Sequence, residues 1–133
     1  MTLKDITGKS KGAKEKAAKV AGVAQEKINE LLKEYKKATA ILETFGFEVS
    51  KFDVKIGLLP KISTSISGSI DNIKEDKIKQ MIEENHENKL LVSMLSALIT
   101  AKDFQERADL KFLTGVTLNV TLGVPPEISV DLH

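Results

Sequence analysis

Two stretches of the chain alternate strictly between apolar and polar residues. In the first stretch, apolar side chains occupy most even positions from Phe52 to Ile66, and lysine, aspartate and serine occupy most of the odd positions between them. The second stretch runs in the same way from Leu118 to Leu132. Alternation with period two is typical of a β-sheet that has one buried and one solvated face. We therefore predict that the even-numbered residues of both stretches pack against a core.

The second stretch repeats the first at an offset of 66 residues. The identical positions include Val54, Gly57, Pro60, Ile62 and Ser63, which recur as Val120, Gly123, Pro126, Ile128 and Ser129. Each Gly-x-x-Pro segment is either the loop of a hairpin or part of one bent strand. A single strand of about 15 residues would span roughly 50 Å. The pattern therefore favours hairpins, with Ile56 opposite Ile62 across a five-residue loop that contains glycine and proline.

A long helix is predicted before the first alternating stretch. Apolar residues from Ala17 to Phe45 recur alternately every four and three positions, which is a heptad pattern. Gly46 follows at the position where a helix commonly ends. A helix of about 32 residues would be roughly 48 Å long, whereas a domain of this size is about 36 Å across. We therefore expect part of the helix to project, and we predict that residues 1–12, which have no apolar period, form a flexible tail.

A second helical pattern separates the two alternating stretches. It runs from Glu75 to about Asp109, and the polar segment 83–88 interrupts its apolar face. We predict a break in the helix near Asn88, with Asp71 and Asn72 as candidate caps at its start.

These elements together predict an α+β fold made of a duplicated α-β-β unit. The two halves, 13–67 and 75–133, would form a single domain over 13–133. Two repeated hairpins would give a four-stranded antiparallel sheet, with two long helices on one face and pseudo-twofold symmetry between the halves. This order of elements is compatible with a permuted ferredoxin-like arrangement.

Composition narrows the range of functions. The chain has 133 residues, a formal net charge of +1 and no cysteine. The near balance of charges argues against a nucleic-acid partner, because such proteins concentrate basic residues on one surface. The absence of cysteine excludes disulfides and thiolate metal sites. No apolar run approaches the roughly 20 residues that span a bilayer, and no secretory signal is apparent, so we expect a cytoplasmic protein.

The sequence offers little material for catalysis. Gly8-Lys9-Ser10 has the end of a phosphate-binding motif, but Leu3 stands where the motif requires its first glycine. His86 lies between Glu84 and Glu87, yet a metal needs three or four ligands and the only other histidine is His133. We therefore predict that the chain is not an enzyme and has no catalytic residue, no metal site and no cofactor.

Two features indicate contact with a partner. The first is the apolar character of the hairpin tips, where Leu58, Leu59, Val124 and Pro125 stand at positions that are usually polar. These side chains either contact a partner or fold back under the helices, and the second interpretation is favoured. The second feature is the seam of small residues on the long helix, formed by Ala17, Ala21 and Ala24, which permits close approach of another helix.

Two functional hypotheses follow from these features. The first is a non-enzymatic protein-interaction or oligomerisation module, which associates with itself or with a protein partner. The second is a carrier that holds a lipid or another apolar ligand between the helices and the sheet. Membrane contact is expected to be weak, because the start of the long helix lacks the bulky apolar residues that anchor an interfacial helix.

Overall fold

The computed structural model describes residues 25–58 and 60–133 of the chain. The predicted tail 1–12 and the first half of the predicted long helix lie outside these residues. The described elements, in chain order, are a helix α1 over 25–44, strands β1 (Glu48–Lys55) and β2 (Lys61–Ser69), a 3₁₀ turn (Ile70–Asn72), helices α2 (Glu75–Glu84) and α3 (Lys89–Arg107), and strands β3 (Gly115–Leu122) and β4 (Glu127–Leu132).

The four strands form one antiparallel sheet, which confirms the predicted α+β fold. Each Gly-x-x-Pro segment connects two paired strands, with Lys55 opposite Lys61 in the first hairpin and Thr121 opposite Glu127 in the second. The single bent strand is therefore excluded. The hairpin register differs from the prediction, because Val54 and not Ile56 lies opposite Ile62.

The strand order is β1-β2-β3-β4, so the permuted ferredoxin-like arrangement is not confirmed. A pseudo-twofold relation between the halves would exchange β1 with β3 and β2 with β4, and would therefore place either β2 beside β4 or β1 beside β3. Instead the segment after β2 leaves and returns at the same end of the sheet, where Ser69 pairs with Gly115 and the Ile70 amide donates to the Thr114 carbonyl. No strand can lie between β2 and β3 in this connection.

The helix boundaries follow the local signals in the sequence. Gly46 ends α1 with a φ of 80°, a conformation that glycine adopts without steric cost. The predicted break near Asn88 is confirmed, since α2 ends at Glu84 and α3 begins at Lys89. The Asn88 side chain accepts a hydrogen bond from the Leu91 amide and so caps α3. Asp71 and Asn72 are not caps of α2, because both lie in the preceding 3₁₀ turn.

One core lies between the helices and one face of the sheet. Helix α3 packs over β3 and β4, and α1 reaches β2 through Tyr35, whose hydroxyl bonds with Thr64. The even-numbered residues of β2 and β3 are buried as predicted. The largest fully buried side chains on the strands and helices include Leu42, Phe47, Ile66, Leu91, Met94, Leu95, Leu98, Leu118 and Leu122.

Candidate interaction surface

Apolar side chains of β1 and of the loop that follows it are exposed, although Phe52 and Val54 lie on the same face of the sheet as the core. The exposed fraction is 48% for Phe52, 54% for Val54, 94% for Ile56 and 68% for Leu58. We call these four residues the β1 apolar face. The prediction that the even-numbered residues of the first stretch are buried is therefore wrong for this half of the hairpin.

The position of β1 in the sheet explains this exposure. It is an edge strand. Helix α3 packs over β3 and β4, and α1 reaches β2 through Tyr35. Tyr35 of α1 approaches Phe52 with a ring-centroid distance of 6.2 Å, but no described residue covers the outer side of the strand. Ile56 lies beyond the last paired residue, Lys55, and so belongs to the loop.

An open groove of about 580 Å³ runs between α1 and this hairpin. Its lining comprises Gln25, Ile28, Asn29, Leu32, Val54, Ile56, Gly57, Leu58, Pro60 and Ile62. None of these described side chains is ionisable, so they provide no general acid or general base. Its chemistry suits the burial of apolar surface.

Both hairpin tips lie beside the first described turns of α1. The first tip shares the groove just described with Gln25 and Ile28. The second tip lies with Lys27 and Leu31 around a smaller depression that includes Val124 and Pro125. Leu58 and Val124 are exposed, so the interpretation that the tips fold back under the helices is wrong for these two side chains.

The remaining residues singled out from the sequence lie outside the described part of the chain. These are Leu59 in the first tip and Ala17, Ala21 and Ala24 in the predicted alanine seam. Ala24, the last residue of this predicted seam, directly precedes Gln25 in the sequence. Gln25 lines the groove beside β1.

The opposite edge of the sheet carries a second apolar groove. It has a volume of about 570 Å³, lies between α3 and β4, and is lined in part by Ala97, Ala101, Phe104 and Val130. We call it the β4 groove. Phe104 is exposed, and Ile128, Val130 and Leu132 are only partly buried.

Charged side chains lie on both edge strands, on the face of the sheet without helices. Strand β1 carries Lys51 and Lys55 with Asp53 between them, and β4 carries Glu127 and Asp131. Lys51 forms an exposed ion pair of 3.3 Å with Asp53 of its own strand. Asp131 accepts a hydrogen bond of 2.6 Å from the Asn119 side chain.

The surroundings of Tyr35 perturb the pKa of its side chain. Burial raises the pKa of its phenol, and the hydrogen bond with Thr64 partly offsets this rise. The Thr64 hydroxyl also forms a hydrogen bond of 2.9 Å with the Lys51 carbonyl. The phenol therefore connects α1 to β1 and β2 as a structural group.

The described residues show no arrangement typical of a metal site or a membrane span. His86 is exposed, with Nδ1 at 3.1 Å from the Glu83 carbonyl oxygen. Within 25–58 and 60–133, no three metal-ligating side chains come together. No helix in these ranges is long and apolar enough to cross a bilayer.

Phe52, Val54 and Ile56 are the residues of this surface that the sequence analysis assigned to the core. Their alternation is the same as that of a buried strand, so apolar pattern alone could not distinguish them. The available signal was the pair of lysines at Lys51 and Lys55, because charged side chains are typical of edge strands.

No family model, no curated protein and no solved structure matches this chain.

Proposed function

We propose that this protein is a non-enzymatic interaction module that associates through the β1 apolar face. The observation that carries the proposal is the exposure of Phe52, Val54, Ile56 and Leu58 on one edge of the sheet. A contiguous exposed apolar surface of this kind is typical of a site that binds another molecule. We further propose that the protein acts in the cytoplasm.

The chemistry of the surface supports association over catalysis. The groove beside β1 is lined by aliphatic side chains and two amides, which can exclude water but cannot transfer protons. The β1 edge also leaves backbone groups unpaired in its regular part from Lys51 to Lys55, and such edges pair readily with another strand.

The carrier of an apolar ligand is the second candidate. The side chains between helices and sheet, such as Leu91, Met94 and Leu118, are fully buried in one core cluster. A guest would therefore lie in the open groove beside β1, whose aliphatic lining favours this alternative. Native mass spectrometry distinguishes the two, because a carrier retains an added mass of a small molecule and a module does not.

Sedimentation velocity of the full chain over a wide concentration range tests the proposal. We expect the average mass to rise with concentration in the wild type. The double variant Val54→Ser/Ile56→Ser should associate at least about tenfold more weakly, because interface apolar side chains that contribute more than about 1.4 kcal/mol change affinity by this factor.

Phe112→Ser is the matched control. Phe112 is also exposed, but it lines none of the grooves described above. Its replacement should leave association unchanged. A wild-type protein that remains monomeric at every concentration overturns the proposal, as does an equal loss of association in the control and the double variant.

A further inference from the structure

The backbone of β4 points a regular set of hydrogen-bonding groups away from the sheet. Gly115 and His133 exchange both of their backbone hydrogen bonds. In an antiparallel pair such residues alternate with residues whose amide and carbonyl groups point outward. Following the register from this pair, the outward-facing residues of β4 are Ile128, Val130 and Leu132.

The same reasoning applies to β1. The bond from the Ile70 amide to the Thr114 carbonyl directs the even-numbered residues of β2 toward β3. The odd-numbered residues of β2 therefore face β1. Given that Asp53 lies opposite Ser63, the outward-facing residues of β1 are Phe52 and Val54.

The two lysines of β1 and the two carboxylates of β4 have the same spacing. Lys51 and Lys55 are four positions apart on β1, and Glu127 and Asp131 are four positions apart on β4. One antiparallel register therefore brings Lys55 opposite Glu127 and Lys51 opposite Asp131 at the same time. Opposite charges in facing positions stabilise a strand pair.

This register also matches the other side chains and the backbone. It places Val54 opposite Ile128 and Phe52 opposite Val130, on the face that carries the helices. These are the residues whose amide and carbonyl groups point outward on both strands. On the charged face, Asp53 lies opposite Ser129, whose hydroxyl can donate to the carboxylate.

We infer that β4 of one copy pairs with β1 of a second copy in this register, so that the sheet continues from one molecule into the next. This inference rests on the proposed function and names its partner as a second copy of this chain. It also gives the apolar edges of both molecules a partner, since the β1 apolar face adjoins the β4 groove of its neighbour.

Such a contact is heterologous, because it joins two different edges of the same molecule. Each added copy leaves one β1 edge and one β4 edge free. The assembly therefore grows with concentration beyond the dimer or closes into a ring. An isologous dimer through two β1 strands is the main competing arrangement, and it would use no residue of β4.

Two charge-reversed variants of the full chain test the inference. In Lys51→Glu/Lys55→Glu the facing positions of both edges are acidic, and in Glu127→Lys/Asp131→Lys they are all lysine. Each variant alone should associate at least about tenfold more weakly than the wild type, because like charges in facing positions oppose pairing. An equimolar mixture should recover association, since each variant then meets an edge of opposite sign.

A second equimolar mixture combines the single variants Lys55→Glu and Glu127→Lys. It leaves the hydrogen bond between Asn119 and Asp131 intact. Denaturant unfolding of every variant checks that these exposed substitutions leave the fold stable. Sedimentation velocity is again the readout.

The outcomes separate this inference from the proposed function. Full association of Glu127→Lys/Asp131→Lys alone overturns the inference and leaves the proposed function standing, because β4 then takes no part. Failure of both mixtures to recover association also overturns it, since the charges then do not face one another. A wild-type protein that never associates overturns the inference and the proposed function together.

Discussion

Ile56 and Leu122 occupy equivalent positions in the repeated segment, 66 residues apart, but Ile56 is 94% exposed and Leu122 is fully buried. Each lies at the end of a strand whose apolar residues face the helices. Leu122 ends β3 at the centre of the sheet and pairs with Ile62, whereas Ile56 lies just past the end of an edge strand. The two halves of the chain therefore have similar sequences in unequal environments.

This difference predicts unequal effects of the same substitution. Leu122→Ser should lower the free energy of unfolding by about 3–5 kcal/mol, because it leaves a cavity and buries a hydroxyl. Ile56→Ser should change it by no more than about 0.5 kcal/mol, as is usual for exposed positions. Denaturant unfolding at low protein concentration measures both values. Equal losses would show that Ile56 is buried in the folded monomer.

Gly68 lies against the ring of Phe47, and its replacement should destabilise the fold. A Cβ atom at Gly68 would lie 2.7 Å from the Phe47 ring, and Phe47 is itself almost fully buried. Gly68→Ala should therefore lower the free energy of unfolding by about 1–3 kcal/mol through overpacking. Gly57→Ala is the control, because no described residue beyond its chain neighbours lies within 4 Å of its Cβ position. Similar unfolding curves for the two variants would contradict this packing.

Tyr35 and Thr64 form a buried hydrogen bond between α1 and β2. Tyr35→Phe should lower the free energy of unfolding by about 1 kcal/mol, the usual net contribution of such a bond. A double-mutant cycle with Thr64→Val isolates the pair, and the two losses should be less than additive. Fully additive losses would mean that the hydroxyl groups do not interact.

The raised pKa of Tyr35 predicts a loss of stability in alkali. Burial favours the neutral phenol in the folded state, so its pKa lies above the ordinary value of 10.0. The contribution to stability is complete below that value and is lost as the pH rises through the folded-state pKa. Tyr35 is the only tyrosine of the chain, so the phenolate absorbance reports it alone. Its titration midpoint should exceed 10.0 in the folded protein and fall on unfolding. A midpoint that does not change on unfolding would contradict the assigned burial.

Asn88 connects two helices through one side chain. Its oxygen caps α3 at the Leu91 amide, and its nitrogen donates to the Glu34 carbonyl of α1 at 3.1 Å. Asn88→Ala should lower the free energy of unfolding by about 1–2 kcal/mol. Asn29→Ala is the control, because the Asn29 side chain bonds only to the exposed Gln25 among the described residues. If both variants unfold alike, the cap does not contribute.

The sequence predicted the elements well because their signals are local. Gly46 as a helix stop and the break near Asn88 depend on residues within one or two turns. The alternating stretches likewise identified the face that β2 and β3 bury. Each of these features is determined by side chains close together in the chain.

The strand order and the exposure of β1 depend on the whole fold. Either strand of the second hairpin could have paired with β2 without any change in the apolar pattern. The alternation around Val120, which is buried in β3, also occurs around Val54 in β1. The two positions differ because the helices cover β3 but leave the edge strand β1 partly uncovered. The exposed apolar surface was therefore recognised at Leu58 and Val124 and missed at Phe52, Val54 and Ile56.

Hydrogen exchange at the two sheet edges is the most direct test of association through β1. The amides of Val54 and Val130 point away from the sheet in the monomer, whereas the Leu118 amide bonds within it and serves as an internal reference. Exchange of Val54 and Val130 should slow as protein concentration rises, while that of Leu118 stays slow throughout. If the Val54 and Val130 amides exchange at the same rate at every concentration, the edges remain free and association through β1 is contradicted.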